Sequence, residues 1–187
     1  MSRRYRLGLD SATEHLALAL VDEDGAEVAR FVEHLGRDHA ARIVPEVRAL
    51  LQRAGVTPSE VAAIGVGVGP GSYTGVRIGL ATARALGRAW GVPVAGASSL
   101  LALLAGLAPG ETGVGVLDAR RGNVYAQAAA RAPGARAPLA PLGEPEKLPR
   151  DELATRFPGL ALHEGPPDAA VLARLATAGG ALAAYYL

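Results

Sequence analysis

The chain contains no cysteine, which removes disulfides, thiolate metal ligands and thiol nucleophiles together and fits a cytoplasmic location. Nor does one sign of charge dominate. Nineteen basic residues against 18 acidic ones leave a formal +1, a balance that announces no nucleic-acid surface and leaves only a local arginine cluster to consider. No run approaches the roughly 18 apolar residues of a membrane span, and no internal repeat of fixed period is present. The opening SRRYRLGLD pairs two arginines, but Asp10 and Glu14 interrupt any apolar stretch behind them. That segment reads as a first strand, not as an export signal. Half of the 187 residues are apolar, enough for one compact unit or two small lobes burying about 70% of the unfolded chain's surface.

Several catalytic signatures are missing as well. The glycine-rich stretch GVGPGSYTG (67–75) suggests a phosphate loop, yet the positions five after Gly65, Gly67, Gly69 and Gly71 are Pro70, Ser72, Thr74 and Val76, so no Walker A lysine follows. Gly69, Gly71 and Gly75 have the wrong spacing for a dinucleotide fingerprint, and Pro70 stands where a nucleophile elbow needs glycine. No H-E-x-x-H occurs. Backbone amides at the start of the following helix remain available to attract an anion, although a plain strand-to-helix turn accounts for the stretch.

What is present reads as a strand-rich first half. Residues 5–10, 16–21 and 27–34 predict three consecutive antiparallel strands, the last two joined across Asp24-Gly25. Ile43, Val44, Val47, Leu50, Leu51 and Ala54 recur at helical spacing, predicting an amphipathic helix over 39–54 that Gly55 ends and Pro45 can kink. Thr57 to Glu60 carries a capping-box pattern worth one turn. A buried strand over 62–69, a helix over 73–90, a strand over 92–97 and a helix from Ser98 or Ser99 to about Ala108 complete a β-β-β-α-β-α-β-α lobe, residues 1–108. A reduced second lobe, 109–187, opens with a hairpin over 112–130 turning at 119–123. Proline-rich connections follow over 131–149, then helices near 150–156 and 168–177, and a terminal LAAYYL.

The helix over 73–90 carries more information than its loop. At about 100° per residue, Arg77, Arg84 and Arg88 share one narrow stripe. Uncharged residues cover roughly 220°, far more than the roughly 100° one sheet requires, so this helix is predicted to pack on two neighbours. Gly75, Gly79, Ala83 and Gly87 recur every fourth residue, a small-residue track that lets another backbone approach closely. The occupant is either the helix over 39–54 of the same chain or a second molecule.

GVGPGSYTGVRIGLATARALGRAWGVPVAGASSLLAL (67–103), LGLDSATEHLALAL (7–20) and DARRGNVYAQ (118–127) together resemble the TsaB (YeaZ) family, the non-catalytic partner subunit in bacterial synthesis of threonylcarbamoyladenosine on tRNA. The resemblance covers most of residues 5–130. It implies an α/β, actin-like and Hsp70-like ATPase fold with a reduced second lobe. It also implies partners: a catalytic TsaD-type subunit and a TsaE-type ATPase, which together move a threonylcarbamoyl group from its adenylate to adenosine 37 beside the anticodon. Through it, the track residues Gly75, Val76, Gly79, Leu80, Ala83 and Gly87 become the candidate partner-binding surface, shared with a homodimer when the chain is alone. The tRNA is reached through the complex and not directly, and no membrane is involved.

The resemblance also bears on chemistry. A catalytic relative carries two metal-binding histidines four residues apart where this chain has Ser99 and Leu103, and leucine ligates no metal. His34 and His39 lie five apart and read as solvated loop and first-turn residues. No catalytic residue, metal or cofactor is therefore assigned. In actin-like folds the end of the first strand and the first turn of the second lobe hold phosphate, and Asp10, Thr13, Asp118, Arg120 and Gly122 occupy those places. The run Asp10-Ser11-Ala12-Thr13 differs from the family's usual Asp-Thr-Ser-Thr, and turn-forming Asp and Ser are common for local reasons, which favours a vestigial site over weak nucleotide binding or ATP turnover. The alternative is an independent small actin-like ATPase or phosphotransferase using Asp10 and Asp118.

Overall fold

The computed structural model describes residues 4–36, 38–133 and 139–176. Two five-stranded sheets organise the chain. The first uses β1 (Tyr5–Asp10), β2 (His15–Val21), β3 (Glu27–His34), β4 (Val61–Gly67) and β5 (Val94–Ala97) in the order β3-β2-β1-β4-β5. Strands β1 to β3 are antiparallel neighbours, whereas β4 runs parallel to β1 and β5 parallel to β4. This is the actin-like arrangement implied by the resemblance.

Alternation in β2, HLALALV, explains how the sheet is covered. Leu16, Leu18 and Leu20 pack with Ile43, Val47 and Leu50 of helix α1 (His39–Ala54) and with Val76 and Leu80 of helix α2 (Tyr73–Trp90). The intervening Ala17 and Ala19 pack instead with Ala169, Ala170 and Ala173. Both faces are thus buried, one by large side chains and the other by small ones. On the small face a Cβ at Gly8 would strike the backbone carbonyl of Ala169, and one at Gly65 that of Leu172. The bare backbone lets a helix lie directly on the sheet.

The second sheet contains β6 (Thr112–Asp118), β7 (Asn123–Arg131), β8 (Leu139–Pro141), β9 (Glu146–Pro149) and β10 (Ala161–His163). The hairpin β6–β7 is antiparallel, β8 and β9 both pair with β7, and β10 runs parallel to β6. The short helix α3 (Leu153–Arg156) packs its Leu153 with Val114, Val116, Val124 and Phe157. Helix α4 (Ala169–Leu175) then returns to the first sheet, where Arg174 Nε donates to Gly25 O at 3.0 Å and Arg30 meets Asp168 Oδ2 at 2.7 Å.

Most elements match their sequence patterns, with three differences. The helix predicted from Ser98 or Ser99 to Ala108 is only a 3-10 turn, Leu101–Leu104, because the Ser98 hydroxyl accepts from Leu100 N and bends the backbone locally. The connections over 131–149 contain the strands β8 and β9. The strand β10, three residues long and paired across the chain, had no periodic signal of its own. The terminal LAAYYL lies outside the described residues. Among those residues, no helix is long and apolar enough to cross a membrane.

Candidate functional site

Asp10 closes β1 and is fully buried. Its Oδ1 accepts from the Ala12 amide at 2.9 Å, while Oδ2 has no hydrogen-bond partner. Burial pushes its pKa up to about 6, against the Ser99 hydroxyl, the Ala12 amide and the charge of His39, which pull it back. The neighbouring strand β4 approaches this carboxylate closely at Gly67. A Cβ at Gly67 would collide with Asp10 Oδ2, and the Ser99 hydroxyl lies 2.6 Å from the same point. That hydroxyl accepts from Gly69 N at 3.1 Å.

The loop before α2 also spends its amides on the chain itself. Ser72 N donates to Ala12 O at 2.7 Å, Gly75 N to the capping Ser72 hydroxyl at 3.3 Å, and Val76 N to Ser72 O at 2.9 Å. Ser11 Oγ donates to Gly75 O at 2.9 Å. Thr13 Oγ1 accepts from His15 N at 3.1 Å, a local turn contact. The Ser72, Gly75 and Val76 amides at this helix N-terminus are thus engaged within the chain.

The hairpin turn of the second sheet is a separate place. Asp118 is exposed, and its Oδ1 accepts from Arg120 N at 3.1 Å. Arg120 and Arg121 have φ of 65° and 53°, and Gly122 follows at 78°. No described hydrogen bond or ion pair joins this turn to Asp10.

Helix α2 places the small-residue track inward. Gly75, Val76, Gly79, Leu80, Ala83 and Gly87 are all buried within the chain, which corrects their assignment to a partner-binding surface. Neither expected occupant fills the track. A Cβ at Gly75 would meet Ser11 O, one at Gly79 would lie 2.5 Å from Ser11 Oγ and 3.3 Å from Leu9 Cδ2, and one at Gly87 would meet the Val94 side chain. The first strand's turn and β5 occupy it, and this close packing offsets the roughly 2–3 kcal/mol that three interior glycines cost in helix propensity. The outward face carries Tyr73, Arg77, Ala81, Arg84, Ala85 and Arg88. Arg77 donates to Tyr73 Oη at 2.8 Å, and Tyr73 is 59% exposed. On α1, Val44 is 52% exposed.

The histidines divide differently from expectation. His34 is exposed and lies 3.0 Å from Glu14 Oε2, with its ring edge-on to His15, its partner across the ladder. Partial burial, then the charge of His34, lowers the His15 pKa, with Glu14 acting in opposition. His39 is not a solvated first-turn residue: it is 3% exposed and its Nε2 has no partner. Among the described residues, no group of three or more His, Asp or Glu could hold a metal ion. Ser99 is buried, and Leu103 is half-buried on the 3-10 turn.

Comparison with known proteins gives these likenesses. Residues 33–135 match the family model described as TsaD, tRNA N6-adenosine threonylcarbamoyltransferase. The chain is 37% identical over 126 residues to tRNA threonylcarbamoyladenosine biosynthesis protein TsaB of Bacillus subtilis (strain 168), a match covering 64% of this chain and 52% of that protein. It is 39% identical over 122 residues to the protein of the same name in Escherichia coli (strain K12), with the same coverage. It thus spans about half the length of the curated relatives it matches. Among solved structures it resembles YeaZ from Pseudomonas aeruginosa, with a TM-score of 0.78, 30% identity and full coverage of both chains.

Proposed function

The chain belongs to the TsaB (YeaZ) family, and on that premise we propose that it is the non-catalytic scaffold subunit of a tRNA threonylcarbamoyladenosine synthase. It binds a catalytic TsaD-type subunit, with a TsaE-type ATPase, for threonylcarbamoyl transfer to adenosine 37. The observation that carries the non-catalytic part is the sealed end of β1. Asp10 has no exposed surface, and the Ser72, Gly75 and Val76 amides beside it already serve the chain's own carbonyls and hydroxyls. A general acid or base must reach the proton it moves, and this carboxylate reaches none from solvent.

The contact with the sister subunit is the outer face of α1 and α2. Exposed Val44 and Tyr73 provide apolar anchors, the small Ala81 and Ala85 permit close approach, and Arg77, Arg84 and Arg88 rim the face. A sister of similar fold presenting its own equivalent helices would complete a pseudo-twofold bundle. The isolated chain would use the same face for a homodimer, making the two assemblies mutually exclusive.

Co-purification with the TsaD-type and TsaE-type proteins, followed by an assay of tRNA modification, tests the reading. Wild type is expected to form the complex and support modification, and Val44→Asp combined with Ala85→Glu to abolish both while remaining folded. ATP hydrolysis by the isolated chain that Asp10→Ala removes would overturn the scaffold role and restore the independent ATPase.

A further inference from the structure

We propose that the outer face of α1 and α2 selects its occupant by charge: it accepts a helical face of the sister subunit that carries carboxylates, and it disfavours a second copy of this chain. The inference rests on the role proposed above and names the chemistry of the partner. The exposed residues of the two helices include five arginines, Arg48, Arg53, Arg77, Arg84 and Arg88, and no carboxylate. Arg42 and Glu46, which are less exposed, add one charge of each sign, and Glu33 reaches Arg42 from β3 at 3.0 Å. With Glu33 counted, six arginines against two carboxylates leave a net +4. No Asp or Glu occurs between Glu60 and Glu111, so neither α2 nor the segments flanking it supply a counter-charge. Arg48, Arg77 and Arg88 pair with no carboxylate among the described residues.

Helical geometry concentrates this charge. Arg77, Arg84 and Arg88 lie within about 40° of one another around the axis of α2, with spacings of about 10 Å and about 6 Å along it. Arg84 and Arg88 are four residues apart, where like charges destabilise the helix that carries them. The helix dipole favours only Arg53 and Arg88, the arginines of the last turns. Arg77 is braced, donating to Tyr73 Oη at 2.8 Å with its guanidinium 5.2 Å from the ring centre. Arg48 stands one turn after the exposed Val44 on α1. An isologous pair would bring ten exposed arginines and no exposed carboxylate to the paired helices. That repulsion works against self-association, whereas an acidic sister face removes it and speeds encounter. A phosphate backbone would engage the arginines alone, while Val44, Ala81 and Ala85, exposed on the same face, suit a packed protein helix.

The test compares the full chain with a variant carrying Arg48→Gln, Arg77→Gln and Arg88→Gln, between about 50 and about 500 mM salt. Self-association is read by sedimentation velocity, association with the purified TsaD-type subunit by stopped-flow, and folding by thermal melts, which should coincide. Wild type is expected to self-associate more tightly as salt rises and to meet the sister at least about tenfold more slowly. At low salt the variant should self-associate at least about fivefold more tightly than wild type and meet the sister about tenfold more slowly, with both salt dependences flattened. Opposite shifts in the two assemblies are the signature, because a merely structural role for the arginines would weaken both. The inference fails if the variant moves both in the same direction, if it self-associates no better than wild type, or if wild-type self-association weakens as salt rises. It also fails if a tRNA transcript binds wild type but not the variant while association with the sister is unchanged. Absence of a sister complex in wild type at every salt would sink the scaffold role, and the self-association measurements would still decide whether the face repels its own copy.

Discussion

A carboxylate that has lost all its water and holds one amide donor is hard to ionise, and Asp10 is such a group. Its folded-state pKa of about 6 lies above the ordinary 3.8. The unfolded chain therefore releases this proton at lower pH than the folded one, so the folded state loses relative stability as pH rises from about 4 to about 6 and then levels off. At neutral pH the burden is of order 3 kcal/mol. Asp10→Asn keeps an oxygen for the Ala12 amide and removes the charge. It should raise stability above pH 6 by up to about 3 kcal/mol, and the gain over wild type should shrink towards zero near pH 4, as denaturant melts at several pH values would show. Little of this was legible beforehand. The sequence places Asp10 at a strand end, but its covering depends on Gly67, Ser99 and the turn at 72–75, three separate parts of the chain.

At the scale of elements, α2 shows how far periodicity reaches. Its bounds and its arginine stripe follow from the sequence, whereas the capping role of Ser72 came from the structure. Its orientation does not follow from the sequence either. A helical wheel with roughly 220° of uncharged surface offers two inward faces, and only Ser11 and Val94, distant in sequence, decide that the glycine track is covered by the chain's own sheet. Gly79→Leu should therefore act on the fold, costing about 1–3 kcal/mol or more through its clash with Ser11 and Leu9. Ala85→Leu, on the outer face, should change stability by less than about 0.5 kcal/mol. Chemical denaturation of the two variants side by side distinguishes them, and equal losses would contradict the observed orientation. His39 and the 3-10 turn after β5 escaped the sequence for a related reason: burial and a serine bonding its own backbone leave no periodic trace.

For the whole molecule, the return of α4 is the decisive long-range feature. It covers Ala17, Ala19, Gly8 and Gly65, while Val171 joins Leu101, Leu104, Ala129 and Leu139 between the sheets. Gly65→Val should lift α4 from the sheet, because its Cβ would collide with Leu172 O. The expected result is a loss of more than about 3 kcal/mol and faster hydrogen exchange in residues 169–175 and in β1, β2 and β4 together. Exchange accelerated in α4 alone would show that the sheet holds without it.

Position along the chain gives that covering helix a further consequence during synthesis. The first sheet's last strand ends at Ala97 and its cover begins at Ala169. At about 5–20 residues per second, the ribosome needs several seconds to pass from one to the other. Throughout that interval the nascent lobe presents a flat, alanine-lined face with bare peptide groups at Gly8 and Gly65. Such a surface is suited to capture by a chaperone or by a neighbouring nascent chain, and stalled translation between the two points would leave the protein at its most aggregation-prone.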